Sequence, residues 1–209
     1  MINKIVLLGG GGHCKACIDV IETTNFTIEG IVDKKINVGK VLNYEIIGND
    51  NDLEELVRKN YLFLVTVGQI KFPSLRIKLF EKIKQADGRL AIVIASTAII
   101  SNSSVIGEGT IVMHQTLVNS DAKIGSNCII NNKSLVEHDY SIGDHTHIST
   151  AAIINGNCVI GKRVFIGSNA VVAHGVHIAD DVVIGSGSVV IKNILRKGVY
   201  AGNPARKIN

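Results

Sequence analysis

Ile124-Gly125-Ser126-Asn127-Cys128-Ile129-Ile130 sets the pattern for half of this chain. Followed in both directions, its aliphatic position returns every sixth residue: Ile94, Ile100, Ile106, Val112, Val118, Ile124, Ile130, Val136, Ile142, Ile148, Ile154, Ile160, Ile166, Val172, Ile178, Ile184 and Val190. Only Ile and Val occupy these seventeen slots. A period of six is neither the 3.6 of a helix nor the 2 of a strand, so no single regular element accounts for it. It marks a coiling parallel β-structure in which each hexapeptide forms one wall of a stacked prism. Three hexads close one triangular coil, and about six coils at the strand spacing of ~4.8 Å give a prism roughly 25 Å tall.

Two places before the slots the residue is usually small, as at Ala122, Cys128, Ser134, Ala152, Cys158 and Ala170. Small and branched side chains thus alternate around a tight corner. Tyr140 is the large residue in this series and implies a distorted corner. Glycine often follows the slot, at Gly107, Gly125, Gly143, Gly161, Gly167 and Gly185. That placement predicts a turn with unusual backbone angles. The tail from Leu195 to Asn209 leaves the period and is expected to run along the outside.

Residues 1–90 read differently. Ile5-Val6-Leu7-Leu8 is a short buried strand, followed by Gly9-Gly10-Gly11-Gly12 and a helix with Ala16, Cys17, Val20 and Ile21 on one face. Residues 27–33 form a second strand ending in Asp33, and residues 62–67 a third. Helices are expected after Asn51-Asp52 and from Pro73 to Gln85. Alternating strands and helices imply a parallel sheet, here a half-Rossmann α/β domain over 1–90. Residues 91–209 make up the β-helix domain and its tail.

Composition narrows the function classes. The 209 residues are 46% hydrophobic and 19% charged, which suits a globular protein. Aromatics are scarce at 4%, as a narrow core of Ile, Val and small residues requires. A net charge of +4 fits anionic small ligands, but no basic stripe with interleaved aromatics argues for nucleic acid. No signal-peptide pattern or membrane span is visible, so a cytoplasmic location is expected. The four cysteines lack the spacing of a disulfide framework.

Two constellations could carry chemistry. His138-Asp139 pairs an imidazole, whose free pKa of roughly 6.5 suits a general base near neutrality, with a carboxylate that can hold its tautomer. A solvated turn histidine beside a charge explains the same residues equally well. At the glycine cluster, strand, turn and helix leave backbone N–H groups where a diphosphate can sit. Asp33, about twenty residues on, can reach a ribose or base edge. A full dinucleotide fingerprint would need glycine where Cys14 stands, which weakens a dehydrogenase reading. Cys14-x-x-Cys17 at a helix start resembles a redox pair, but no second motif supports it. A metal site would need three converging histidines, which their spacings leave open.

Taken whole, the chain resembles the bacterial hexapeptide-repeat sugar acetyltransferases of the NeuD/PglD type. The resemblance rests on Gly9-Gly10-Gly11-Gly12-His13, Asn131-Asn132-Lys133-Ser134-Leu135-Val136-Glu137-His138-Asp139 and Ala201-Gly202-Asn203-Pro204-Ala205. It implies a left-handed parallel β-helix, a homotrimer and acetyl-CoA as co-substrate, and it is what argues for no metal. His138 would be the catalytic base, with Asp139 as its acidic neighbour, one carbon shorter than Glu. The resemblance places His147 against the acetyl group and Ser168 and Ser186 along the donor groove. Arg206 and Lys207 would meet CoA phosphates. It also assigns Gly11, Gly12, His13, Asp33, Lys34 and Gly68 to the nucleotide of a nucleotide-linked sugar. The expected reaction is N-acetylation of a nucleotide-linked 4-amino-4,6-dideoxy sugar. Residues 149–156 look more like the branch that O-acetylates sialic acid. A non-catalytic nucleotide-sugar binding protein is the rival from outside the enzymes.

Overall fold

The computed structural model describes residues 3–34, 39–70 and 72–208. The chain divides into two compact units, Met1–Ser96 and Thr97–Asn209.

The first unit is a sheet with helices. β1 (Lys4–Leu8), β2 (Thr27–Val32), β3 (Lys40–Val41), β4 (Tyr44–Gly48), β5 (Leu62–Val65) and β6 (Arg89–Leu90) lie in the order β3-β4-β2-β1-β5-β6. β1 pairs in parallel with both β2 and β5, and only the β3–β4 hairpin at the edge is antiparallel. α1 (Gly12–Ile21) and α3 (Ser74–Gln85) bury apolar faces, Cys14, Cys17, Ile18 and Ile21 from the first and Leu79, Phe80 and Ile83 from the second. α2 (Leu53–Arg58) adds Leu53 and Leu56 to the same core as Val6, Phe63 and Val65. The β3–β4 hairpin was not foreseen. Its two-residue loop is Leu42-Asn43, and Leu42 sits at φ 52. A leucine at positive φ gives no turn signal, unlike the Asn-Gly pairs that usually mark such loops.

The second unit is the hexapeptide prism. Two-residue strands pair in parallel with the strand eighteen residues on, as in Leu117↔Leu135, Lys123↔Ser141 and Ile129↔His147. Three ladders result. The first wall runs through Ile111–Val112, Ile129–Ile130, His147–Ile148, Phe165–Ile166 and Val182–Ile184. Ile99–Ile100, Leu117–Val118, Leu135–Val136, Ile153–Ile154, Val171–Val172 and Val189–Val190 make the second. The third runs from Val105–Ile106 to His177–Ile178. The slot residues point inward, and Val112, Val118, Ile130, Val136, Ile148 and Ile154 are fully buried. Each such burial contributes about 1.5–3 kcal/mol, so the repeat is its own core.

Three expectations need correction. The glycines after the slots do not sit at positive φ; they let consecutive coils touch. A Cβ on Gly143 would lie 2.7 Å from the Gly161 carbonyl carbon and the Lys162 nitrogen. Positive φ falls two residues later instead, on every sixth residue from Gly109 to Gly187, at 54–73°. Tyr140 does not distort its corner. Its side chain is buried in the prism, and the backbone bonds Lys123 N–H to Tyr140 O (2.8 Å) and Ser141 N–H to Cys158 O (3.1 Å) continue the ladder past it. Its neighbours eighteen residues away, Ala122 and Cys158, are small enough to leave room. Finally, the tail extends the first wall. Gly198–Ala201 pairs in parallel with Val182–Ile184 and in antiparallel with Arg206–Lys207, which satisfies an edge that would otherwise end unpaired. The Asn203–Pro204 peptide in this turn is cis.

Candidate active site

His138 stands at the corner that follows the second wall. The corner is held from both sides, by Asp139 N–H to Ser120 O on the coil below and Asn157 N–H to His138 O on the coil above, each 3.1 Å. Adjacent side chains on an extended strand point to opposite sides. Asp139, at φ 54, leaves that geometry and brings its carboxylate beside the preceding ring. His138 Nδ1 lies 2.9 Å from Asp139 Oδ2. The shorter acid therefore does reach the imidazole. Both side chains are more than half exposed, so the pair is open to a ligand. With Nδ1 committed to the carboxylate, Nε2 is the atom free to accept a proton.

Gly156, eighteen residues on, is the position the sequence reading missed. A Cβ there would sit 3.0 Å from both Cε1 and Nε2 of His138. The signal was present: in a three-hexad coil, residue 156 must lie directly above residue 138.

His147 occupies a different wall. It is buried on the first wall, with Nε2 3.2 Å from Asn131 Nδ2 and its ring edge-on to Phe165 at 5.2 Å. Ser168 and Ser186 stack at the corner that ends the same wall, joined by Gly187 N–H to Ser168 O at 2.8 Å. Ser168 Oγ also lies 3.0 Å from Ser149 Oγ. Three of the five residues expected on the donor side thus share one wall and its corner, and His138 lies at the next corner round. Arg206 and Lys207 are exposed on the tail strand. They line a pocket of about 180 Å³ with Lys192, Asn193 and Tyr200.

In the first unit, Gly11, Gly12, His13, Asp33 and Gly68 gather at the carboxyl ends of β1, β2 and β5, where open α/β sheets bind ligands. Gly11 caps α1 without a side-chain hydrogen bond, and nothing lies within 4 Å of a Cβ placed on Gly11 or Gly12. Space and N–H groups for an anion are both present. Gly10 N–H donates to Asp33 Oδ2 at 2.6 Å, so Asp33 braces the glycine turn as well as lining it. Gly68 packs on His13, at 3.3 Å from a built Cβ to His13 Cβ. Lys34 is exposed next to Asp33. Burial pushes the Cys14 and Cys17 thiols up, away from the thiolate character that a redox pair needs. Among the described residues no cluster of three or more His, Cys, Asp or Glu could hold a metal ion. No helix among them is long and apolar enough to cross a membrane.

A parallel α/β unit with an anion-ready turn, followed by a triangular prism carrying an open His–Asp pair, defines a hexapeptide-repeat transferase. The model for the PglD N-terminal domain matches residues 4–83, and that for the bacterial transferase hexapeptide repeat matches 103–138 and 157–192. A histidine-to-asparagine variant of perosamine N-acetyltransferase from Caulobacter crescentus, solved with CoA and GDP-perosamine, is 31% identical over all of this chain and 98% of that one, with a TM-score of 0.94. The acetyltransferase domain of PglB from Neisseria gonorrhoeae, solved with acetyl coenzyme A, is 28% identical over 100% of both chains, with a TM-score of 0.92. UDP-N-acetylbacillosamine N-acetyltransferase of Bacillus subtilis is 32% identical over 115 residues, 54% of this chain and 52% of that protein. The match thus spans about half the length of that curated relative. The chain belongs to the hexapeptide-repeat sugar acetyltransferases of the NeuD/PglD type, and its prism is a left-handed parallel β-helix.

Proposed function

We propose that this protein transfers acetyl from acetyl-CoA to the amino group of a nucleotide-linked 4-amino-4,6-dideoxy sugar, with His138 as general base. The observation that carries the proposal is the open His138–Asp139 pair, with Nδ1 on the carboxylate at 2.9 Å and Nε2 left for the reacting amine. The amine nitrogen attacks the thioester carbonyl while Nε2 takes its proton. The tetrahedral oxyanion then collapses, the carbon–sulfur bond breaks, and CoA leaves as a thiolate that is reprotonated. Asp139 stabilises the imidazolium formed on the way. Much of the rate comes from holding amine and thioester together. Cys128 and Cys158 are buried inside the prism, which favours direct transfer over an acetyl-cysteine intermediate.

In the first unit (residues 1–90 in the sequence reading), Gly11, Gly12, His13, Asp33, Lys34 and Gly68 bind the nucleotide. In the second (91–209), His147, Ser168, Ser186, Arg206 and Lys207 bind acetyl-CoA. N-acetylation is preferred to O-acetylation of a sialic acid because two of the relatives above are N-acetyltransferases by name, one solved with a nucleotide sugar and one named for a UDP-sugar. The working form is a homotrimer. In one chain the second wall separates the base corner from the donor corner, and its outward row is aliphatic: Ile99, Leu117, Leu135, Ile153, Val171 and Val189. Packing copies along this row would bring one copy's base to the next copy's donor corner. We place the reaction in the cytoplasm, where acetyl-CoA and nucleotide sugars are made.

The test is thiol release from acetyl-CoA with UDP-, dTDP- and GDP-linked 4-amino sugars against free sialic acids. One nucleotide amino sugar should release CoA, and His138→Ala should lose at least about a hundredfold in turnover. Near-normal turnover in that variant would falsify the base assignment. Nucleotide-sugar binding without any CoA release would make the protein a binding module.

A further inference from the structure

The segment Val65–Gly68 forms one side of the glycine-turn site. Thr66 N–H donates to Leu8 O at 2.8 Å, and Thr66 Oγ1 donates to Gly9 O at 2.7 Å. Val67 crowds Gly9 so closely that a Cβ on the glycine would collide with Val67 Cγ2. Gly68 then packs on His13. The position of this segment therefore sets where the turn and His13 sit.

Arg76 holds the segment from behind. It lies in the first turn of α3, is 1% exposed, and donates from Nη1 to Val65 O at 2.6 Å and to Val67 O at 3.0 Å. One nitrogen thus ties together the last residue of β5 and the loop beyond it. A guanidinium cannot shed its proton to escape burial, so it is tolerated here only because polar groups satisfy it. It is also too buried to touch a ligand directly.

We propose that Arg76 is a positioning residue for nucleotide binding, acting through the Val65–Gly68 segment. This inference rests on the reading of the first unit as the nucleotide site. The two are separated by titrating UDP, GDP and dTDP calorimetrically into the wild-type protein and into Arg76→Lys, which keeps the charge but ends one bond short of the position of Nη1. Thr66→Val, which removes the bond to Gly9 O from the other side of the segment, serves as a second variant should the first fail to fold. CoA binding is the control. Both folded variants should weaken the bound nucleotide about tenfold or more while CoA affinity stays within about twofold. Unchanged nucleotide affinity in either folded variant, or equal loss for nucleotide and CoA, overturns the proposal. Failure of all three nucleotides to bind the wild type overturns the site reading itself.

Discussion

The imidazole of His138 fills the space that a side chain at position 156 would need, with Cε1 and Nε2 each 3.0 Å from a Cβ built on Gly156. The glycine thus leaves room for the ring edge that carries Nε2. Gly156 has a negative φ, so an alanine there meets no backbone penalty. Only the ring has to move. Gly156→Ala should fold normally and lose about ten- to a hundredfold in kcat, the scale of displacing a reacting group by up to 1 Å. Steady-state kinetics with a thermal melt decide it: full activity with an unchanged melt would mean that the ring position is not critical.

Asp139→Asn isolates the carboxylate's charge. Asparagine tolerates positive φ at least as well as aspartate, so the corner at φ 54 should survive. The pair is solvent-exposed, which weakens its electrostatics relative to a buried triad. The expected loss in turnover is about tenfold, smaller than for His138→Ala. A loss as large as that of His138→Ala would show Asp139 doing more than orienting the ring.

The prism was legible because its core is written in one dimension: every inward slot is Ile or Val at a fixed period. The His138–Asp139 pair was legible as a motif, but its geometry depends on the left-handed backbone at residue 139. That angle recurs every six residues, mostly on Gly, Asn, Asp or His, yet Gln115, Lys133, Ala151 and Arg163 also adopt it, which blurs the signal. Arg76 could not be read from sequence at all. An arginine in a helix otherwise carrying lysines looks solvated, and only the fold puts two carbonyls within its reach.

Alkali should unfold the protein, and the sign follows from four buried acids. Burial pushes Cys14, Cys17 and Cys158 up from the ordinary thiol value of 9.0, and Tyr140 well above 10.0. The folded chain keeps protons that the unfolded chain releases, so stability is intact below pH 9 and falls as pH rises through those ordinary values. Tyr140 alone contributes a slope of about 1.4 kcal/mol per pH unit above its ordinary value. Its hydroxyl has no hydrogen-bond partner among the described residues. Tyr140→Phe should therefore raise stability at neutral pH by about 1 kcal/mol and flatten the alkaline slope. Urea midpoints between pH 8 and pH 11 check both, and parallel curves for the two proteins would contradict the account.

The outward row of the second wall yields the last prediction. Leu135 precedes inward Val136, so strand alternation turns it outward, in line with Leu117 below and Ile153 above. Ile99, at the start of the row, is 67% exposed in the single chain. Leaving such a row in water forgoes about 1.5–3 kcal/mol for each side chain that a neighbouring copy could cover. Leu135→Glu should keep the fold, because its side chain is outside the core, but it places a charge in the centre of the row that a neighbouring copy would cover. Sedimentation should then find the wild type near three times 22.4 kDa and the variant near one. Turnover should fall with the trimer, since the base corner and the donor corner of one chain lie on opposite sides of this wall. A variant that is monomeric and fully active would place the whole reaction within a single chain.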